Sequence, residues 1–409
     1  MLRRKSKLTN YPLHRPDYII GLLVLLLIGV GMIIIYSIGS IVKFNVSGGR
    51  LDQNTFFTTQ LISLFLGAIV WFIASKINYR FWQKISIYLA VVSLILMLLV
   101  MLPPLSLDAK GATRWLKLGP LSFQPVEFFK LSLIILLANL LDKGKEKLKS
   151  PLYSLLPFMI ILTVIAALVV LLQKDMGSAM VLVAICFSMY FTAGTPFWQF
   201  LGSFTAVVAG GIILILTEPY RFARVNTFFS RGQDLSGTGY HINQALIALG
   251  SGGLIGRGLG KSLQAYGYLP ESINDSIFAI IGEQFGLVGT LSVIVLFVLL
   301  IYRFLKICLS APDMFSRMLA VGITVWIGIQ TLTNIAAMLG LIPLTGIPLP
   351  MISYGGTSMI FLLFAIGIMQ NISKYTIKEG RYANNSFRRG DRGSYFAGSS
   401  YARRVKKTG

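Results

Sequence analysis

The chain has 409 residues, of which 55% are hydrophobic and only 13% charged, and its mean hydropathy is +0.73. That balance excludes a soluble globular domain, and apolar runs of about 20 residues recur along the length, the pattern of a multi-spanning helical membrane protein. The formal net charge of +22 reads as basic loops on the cytoplasmic side of a membrane rather than as a nucleic-acid surface.

Residues 1–16 form a basic, proline-punctuated arm. The apolar run that follows is longer than the core of a signal peptide and is read as a retained helix. The apolar runs predict an all-α fold of ten helices, over 18–40, 56–75, 83–103, 124–141, 153–173, 178–194, 198–217, 277–304, 315–342 and 352–373. With the N-terminus inside, most of the 37 Lys and Arg residues fall in cytoplasmic loops and in the tail. The positive-inside rule therefore gives an N-in, C-in topology. The membrane domain is expected over 17–376. The tail, 377–409, is rich in Gly, Ser, Asn, Arg and Lys without an apolar face, so it is expected to be disordered and to stay near anionic membrane lipids.

Three polar stretches fall outside in this topology: 105–124, 173–177 and a long loop over about 218–275. The last is too long for a simple connection. Its segment 241–249 has helical spacing and is expected to be interfacial or re-entrant, and its glycine cluster lacks the spacing of a phosphate-binding loop. Cys186 and Cys308 have no spacing partner, and His14 lies far from His241, so neither a disulfide nor a Cys or His metal site is expected.

The chemistry concentrates at the end of the long loop. Glu271, Asp275 and Glu283 lie within thirteen residues of one another. Asp275 precedes an apolar helix, where Asn274 or Asp275 as a helix cap is the bland explanation. Glu283 sits inside the apolar run, and an acid at that position is a functional candidate by default. Arg114, Lys117, Lys130, Arg221 and Arg224 are the outer basic residues, although Glu127 and Lys130 are also spaced to pair with each other. Cations around one or two acids suit a lipid-linked diphosphate, with a carboxylate taking the proton of an attacking hydroxyl. They would equally suit an anion transporter.

Four blocks carry a resemblance. They are GATRWLKLGPLSFQPVEFFKL (Gly111 to Leu131), LLQKDMGSAMV (Leu171 to Val181), GYHINQALIALGSGGLIGRGLGKS leading into LPESINDSIFAIIGEQFGLVG, and NIAAMLGLIPLTGIPLPMISYGGTSM (Asn334 to Met359). With these the chain resembles the SEDS family (shape, elongation, division and sporulation) of bacterial membrane proteins, the FtsW and RodA group, from its first helix to about Lys374. The family pattern L-P-E-x-x-x-D-F-I-F-A places its catalytic aspartate on Asp275. Asn274, Ser276, Val126, Lys174 and Gln284 depart from the usual residues.

The resemblance implies polymerisation of lipid II into peptidoglycan on the outer face of the cytoplasmic membrane. The chemistry implied is an inverting glycosyl transfer with Asp275 as general base or as ligand of a divalent cation (Mg or Mn), and with Glu271 and Glu283 in support. It also implies a complex with a class B penicillin-binding protein and other divisome proteins, and no nucleic-acid partner. YRFARVNTFF is closer to the division (septal) branch than to the elongation branch. The readings set against this one are a RodA-type elongation polymerase, a lipid II flippase and a division scaffold.

Overall fold

The computed structural model describes residues 14–39, 55–102, 106–109, 112–118, 121–217, 222, 226–228 and 237–376. Most of the basic arm, the tail from 377, and both Arg221 and Arg224 lie outside the described residues.

Helices α1 (Tyr18–Gly39), α2 (Thr55–Lys76) and α3 (Tyr79–Leu99) open the chain. Helix α4 (Pro125–Gly144), α5 (Leu155–Ile165, continued as a π-helix over Ala166–Leu172), α6 (Met176–Thr192) and α7 (Phe197–Leu216) follow. Then come α8 (Gly237–Ser251), α9 (Ile277–Ser310), α10 (Met314–Met338) and α11 (Gly356–Ser373). Among the described residues, eight helices are long and apolar enough to cross a membrane, and α6 is a shorter apolar helix. Helix α4 has 20 residues but carries Glu127, Lys130, Asp142 and Lys143. It is nonetheless an inner element of the bundle, packed against α3 and α10, while α6 packs on α10. The ten expected helices are thus present.

Boundaries follow capping chemistry. Helix α3 starts at Tyr79, four residues earlier than the apolar run implies, because the Asn78 side chain accepts from the Arg80 amide at 2.9 Å. Helix α10 opens with a capping box in which Asp313 and Ser316 satisfy each other's amides. It stops at Met338, and residues 339–355 form an outer loop rather than the expected helix ends.

Helices α10 and α11 are the central helices, whereas α2 and α7 turn most of their apolar surface outward, the arrangement a lipid solvent allows. The cytoplasmic ends are tied by polar contacts. Arg303 pairs with Asp17 at 2.7 Å, Arg80 with Asp313 at 3.1 Å, and the His14 amide donates to the Lys374 carbonyl at 2.9 Å. Both ends of the described core therefore lie on one side, as an even number of crossings requires.

One expectation needs correction. The stretch 105–124 is not a plain loop but a three-stranded antiparallel sheet, β1 (Ser106–Ala109), β2 (Ala112–Leu118) and β3 (Leu121–Phe123), in the order β1-β2-β3. In the sequence only Gly119-Pro120 marks a turn here, between β2 and β3. The Gln124 amide reaches Thr357 Oγ1 at 3.3 Å, and that hydroxyl donates to Ser122 O at 3.1 Å, which seats the sheet on the start of α11.

Candidate active site

Asp275 stands just before α9. Ser276, not Asp275 or Asn274, occupies the N-cap, and it makes no side-chain capping bond. Its hydroxyl instead donates to Pro270 O at 2.9 Å and meets His241 Nε2 of α8 at 2.6 Å. The cap position therefore falls one residue after Asp275.

The backbone around Asp275 is held from the outer loop 339–355. The Ile273 carbonyl accepts from the Tyr354 amide at 2.9 Å. The Asn274 carbonyl accepts from Ser353 Oγ at 2.6 Å. The Asp275 carbonyl accepts from Asn334 Nδ2 at 2.7 Å, and the same amide group reaches Ile347 O at 2.8 Å. Three successive carbonyls are thus fixed by one neighbouring loop and α10. The side chain of Asp275 is 9% exposed. Its Oδ2 lies 3.9 Å from where a Cβ on Gly346 would stand, an ordinary contact, and Gly346 is set apart by its left-handed backbone (φ 68).

Glu271 shapes the turn from the other side. It adopts a left-handed backbone (φ 51). Its carbonyl accepts from the Asn274 and Ser276 amides at 2.9 and 3.2 Å, and its carboxylate accepts from Asn274 Nδ2 at 2.5 Å. Asn274, a departure from the family pattern, is thus the group that ties Glu271 to the turn.

Glu283 is fully buried. Its carboxylate accepts from Ser262 Oγ at 2.5 Å and from the Leu263 amide at 2.8 Å, with Gln264 N at 3.3 Å. The main chain completes the same link: the Arg257 and Gly258 amides donate to the Glu283 and Gln284 carbonyls at 2.9 and 3.0 Å. Below this point α9 is broken at Gly286 (φ 67, ψ −159). The amides of Leu287 and Val288 bond Gly253 O and Leu254 O at 2.9 and 3.2 Å. The loop after α8 thus supplies partners for groups that the break releases, as membrane depth demands. Gly256 (φ 88) must be glycine, since a Cβ there would run into Gln284 O.

The outer basic residues divide. Lys130 pairs with Glu127 at 2.6 Å, both 2% exposed, and its ammonium lies 5.6 Å from the Trp326 ring centroid. Ser358 Oγ donates to Glu127 at 3.3 Å. Arg114 donates to the carbonyls of Gln173 and Lys174 at 3.2 and 2.5 Å, joining β2 to the turn before α6. In that turn Asp175 caps α6 through the Ser178 amide at 3.1 Å. Lys117 lies in β2, but its side chain is outside the described set.

Residues 18–378 match the profile of the FtsW, RodA and SpoVE family, described as cell cycle protein. The chain belongs to this family. It is 36% identical to the probable peptidoglycan glycosyltransferase FtsW of Trichlorobacter lovleyi, over 91% of this chain and 96% of that one. It is also 36% identical to the stage V sporulation protein E of Bacillus subtilis, over 88% of this chain and 98% of that one. Among solved structures, the Thermus thermophilus rod shape determining protein RodA superposes with a TM-score of 0.64 at 25% identity, covering 89% and 98%. A chain from a peptidoglycan synthase complex superposes with a TM-score of 0.71 at 24% identity, covering 88% and 97%, and shares the fold. This family member is therefore a multi-pass membrane protein with a RodA-like helical fold.

The family's four motif blocks converge in space. The fourth block grips the third through Asn334, Ser353 and Tyr354. The first block meets the second through Arg114 and the fourth through Thr357 and Ser358. Asn334, Ser353 and His241 are the residues that sequence reasoning passed over. Asn334 had a signal, an amide inside an apolar run.

Proposed function

We infer that this protein is a peptidoglycan glycosyltransferase that polymerises lipid II on the outer face of the membrane. The observation that carries this reading is the fixed backbone of Asp275 at the outer start of α9, within a chain of this family. A carboxylate so held can take the proton of the acceptor hydroxyl as its oxygen attacks the anomeric carbon of the donor. The bond from that carbon to the diphosphate breaks as the new glycosidic bond forms. The polyprenyl diphosphate leaves with both electrons, and the configuration inverts. A positioned base of this kind contributes about 10²–10⁴-fold in rate.

Glu271 and Glu283 are positioning residues in this scheme, through Asn274 and through the loop at 257–264. The amino end of α9 favours an anionic group nearby. Arg221, Arg224 and Lys117 remain candidate diphosphate contacts. Arg114 and Lys130 act through the carbonyls and the carboxylate they already hold. A Mg or Mn ion would be held by one or two carboxylates together with substrate phosphates, and Asp275 would serve it only as the alternative to acting as the base. When bound, the ion would neutralise the diphosphate. Among the described residues no group of three His, Cys, Asp or Glu side chains is placed to hold a metal ion.

For the branch we propose the septal role, which the relative at 36% identity named FtsW supports; the alternative is an elongation polymerase of the RodA type, whose fold this chain shares. A class B penicillin-binding protein is the proposed partner, in line with the fold shared with a peptidoglycan synthase complex. The test is glycan synthesis from lipid II by the purified protein, with and without its transpeptidase. Long glycan strands are expected. Transport of labelled lipid II between leaflets without polymer would overturn the reading.

A further inference from the structure

The glycine-rich stretch after α8 has surface features that catalysis does not use. Two helices fix its height in the membrane. Arg303 and Asp17 pair at the cytoplasmic end, and about 20 residues of helix span the hydrocarbon core. Counting that length outward along α9 from Arg303 reaches Glu283. Helix α1 gives the same level independently: it has 22 residues, and near its outer end Ser37 Oγ donates to Gln284 Oε1 at 3.0 Å. Glu283 and Gln284 thus mark the outer edge of the hydrocarbon, and Arg257 and Gly258 are bonded to their carbonyls.

At this level the loop turns apolar side chains outward. Ile255 is 83% exposed and Leu254 68%, with Leu259 also exposed. In water such a tip would be an unexplained patch. Leu246 and Ile247 on α8 and Leu287, Val288 and Leu291 on α9 continue the same kind of surface. Arg257 and Lys261 are exposed beside the tip. One edge of the Arg257 guanidinium is held by the Ser251 carbonyl at 3.3 Å, which fixes that side chain on the loop. The stretch 251–268 contains no Asp or Glu, so the cations face no acid of their own segment. Apolar residues at hydrocarbon depth with cations at the boundary are the complement of an anionic bilayer surface.

We propose that the 252–261 loop is an outer-leaflet anchor in which Leu254, Ile255 and Leu259 enter the hydrocarbon and Arg257 with Lys261 bind the phosphate of an anionic phospholipid. The anchor also sets the height of the site. Glu283 binds the loop, and Ile277 stands six residues above it, about 9 Å along the helix. Asp275 follows directly, at the level of lipid headgroups. The proposal concerns bulk phospholipid and does not rest on the glycosyltransferase reading.

The test uses the full chain in nanodiscs without substrate. An Ile255→Cys variant carries an environment-sensitive fluorophore, while the native Cys186 and Cys308 are buried. Nitroxides near the top of the acyl chain should quench the label and aqueous iodide should not. An Arg257→Gln, Lys261→Gln variant should lose about 30-fold of the preference for phosphatidylglycerol over phosphatidylcholine, read as retained lipid. Quenching by iodide alone, unchanged phosphatidylglycerol retention, or displacement of the lipid only by a polyprenyl diphosphate would each overturn the proposal. None of these readouts depends on polymerisation.

Discussion

Individual side chains in this protein carry unequal loads at membrane depth. Glu127 and Lys130 form a buried pair whose members cannot be removed singly without stranding the other. Glu127→Ala should cost about 3–5 kcal/mol, seen as a large fall in thermal stability in detergent. The double replacement Glu127→Gln, Lys130→Met should recover most of that loss. If the double variant is no better than the single one, the pair has a role beyond mutual neutralisation. The contrast with Asp275 is instructive. Both acids were visible in the sequence, yet Glu127 is paired with an i, i+3 cation, whereas the backbone carbonyl of Asp275 is held by Asn334. Spacing along one helix is legible in a sequence. A clamp between residues 275 and 334 is not, because it depends on how α9 and α10 meet.

At the scale of elements, the break in α9 and the loop that repairs it form one unit. Gly256→Ala forces a Cβ into the Gln284 carbonyl at a left-handed backbone position. A cost of about 1–3 kcal/mol or more is expected, with loss of activity even though Gly256 touches no reacting group. A fully active and equally stable variant would mean that this loop packs otherwise.

The joint between α9 and α10 responds to pH. Burial pushes the Asp313 carboxyl up, but hydrogen bonds from Ser316, Tyr79 and Arg80 outweigh it and hold the group below the usual carboxylate value. A depressed folded value means that the stabilisation is complete above the unfolded value. It is lost as pH falls through the folded one. The stability gap between the parent and Asp313→Asn should therefore be full at neutral pH and close in strong acid. A gap that widens on acidification contradicts the assignment.

The elements also show where sequence reading stops. All ten apolar runs became helices; for eight of them length and hydropathy suffice for a membrane span, whereas α4 is charged and α6 short. The small outer sheet was hidden inside a stretch whose polarity suggested only a loop, and its pairing depends on β1 finding β2 across a turn. The break at Gly286 was hidden because the apolar pattern runs straight through it.

The whole molecule has a polar outer end and a tied cytoplasmic end. Asp313, Asp17, Arg80 and Arg303 lock helices together on the inside. The outer end gathers all four motif blocks around the start of α9. That division of labour suits the proposed polymerase, which requires a held carboxylate outside and a rigid scaffold below. The convergence of blocks separated by up to 235 residues was legible only as family resemblance, because no local pattern predicts contacts at that range.

The most direct test is Asp275→Asn in the purified complex with the proposed class B penicillin-binding protein, assayed for glycan strands from lipid II. The variant should keep its thermal stability and its partner while polymerisation falls about 10²–10⁴-fold. Polymerisation at the parent rate by a folded, partnered Asp275→Asn protein would contradict the assignment of Asp275 as the base.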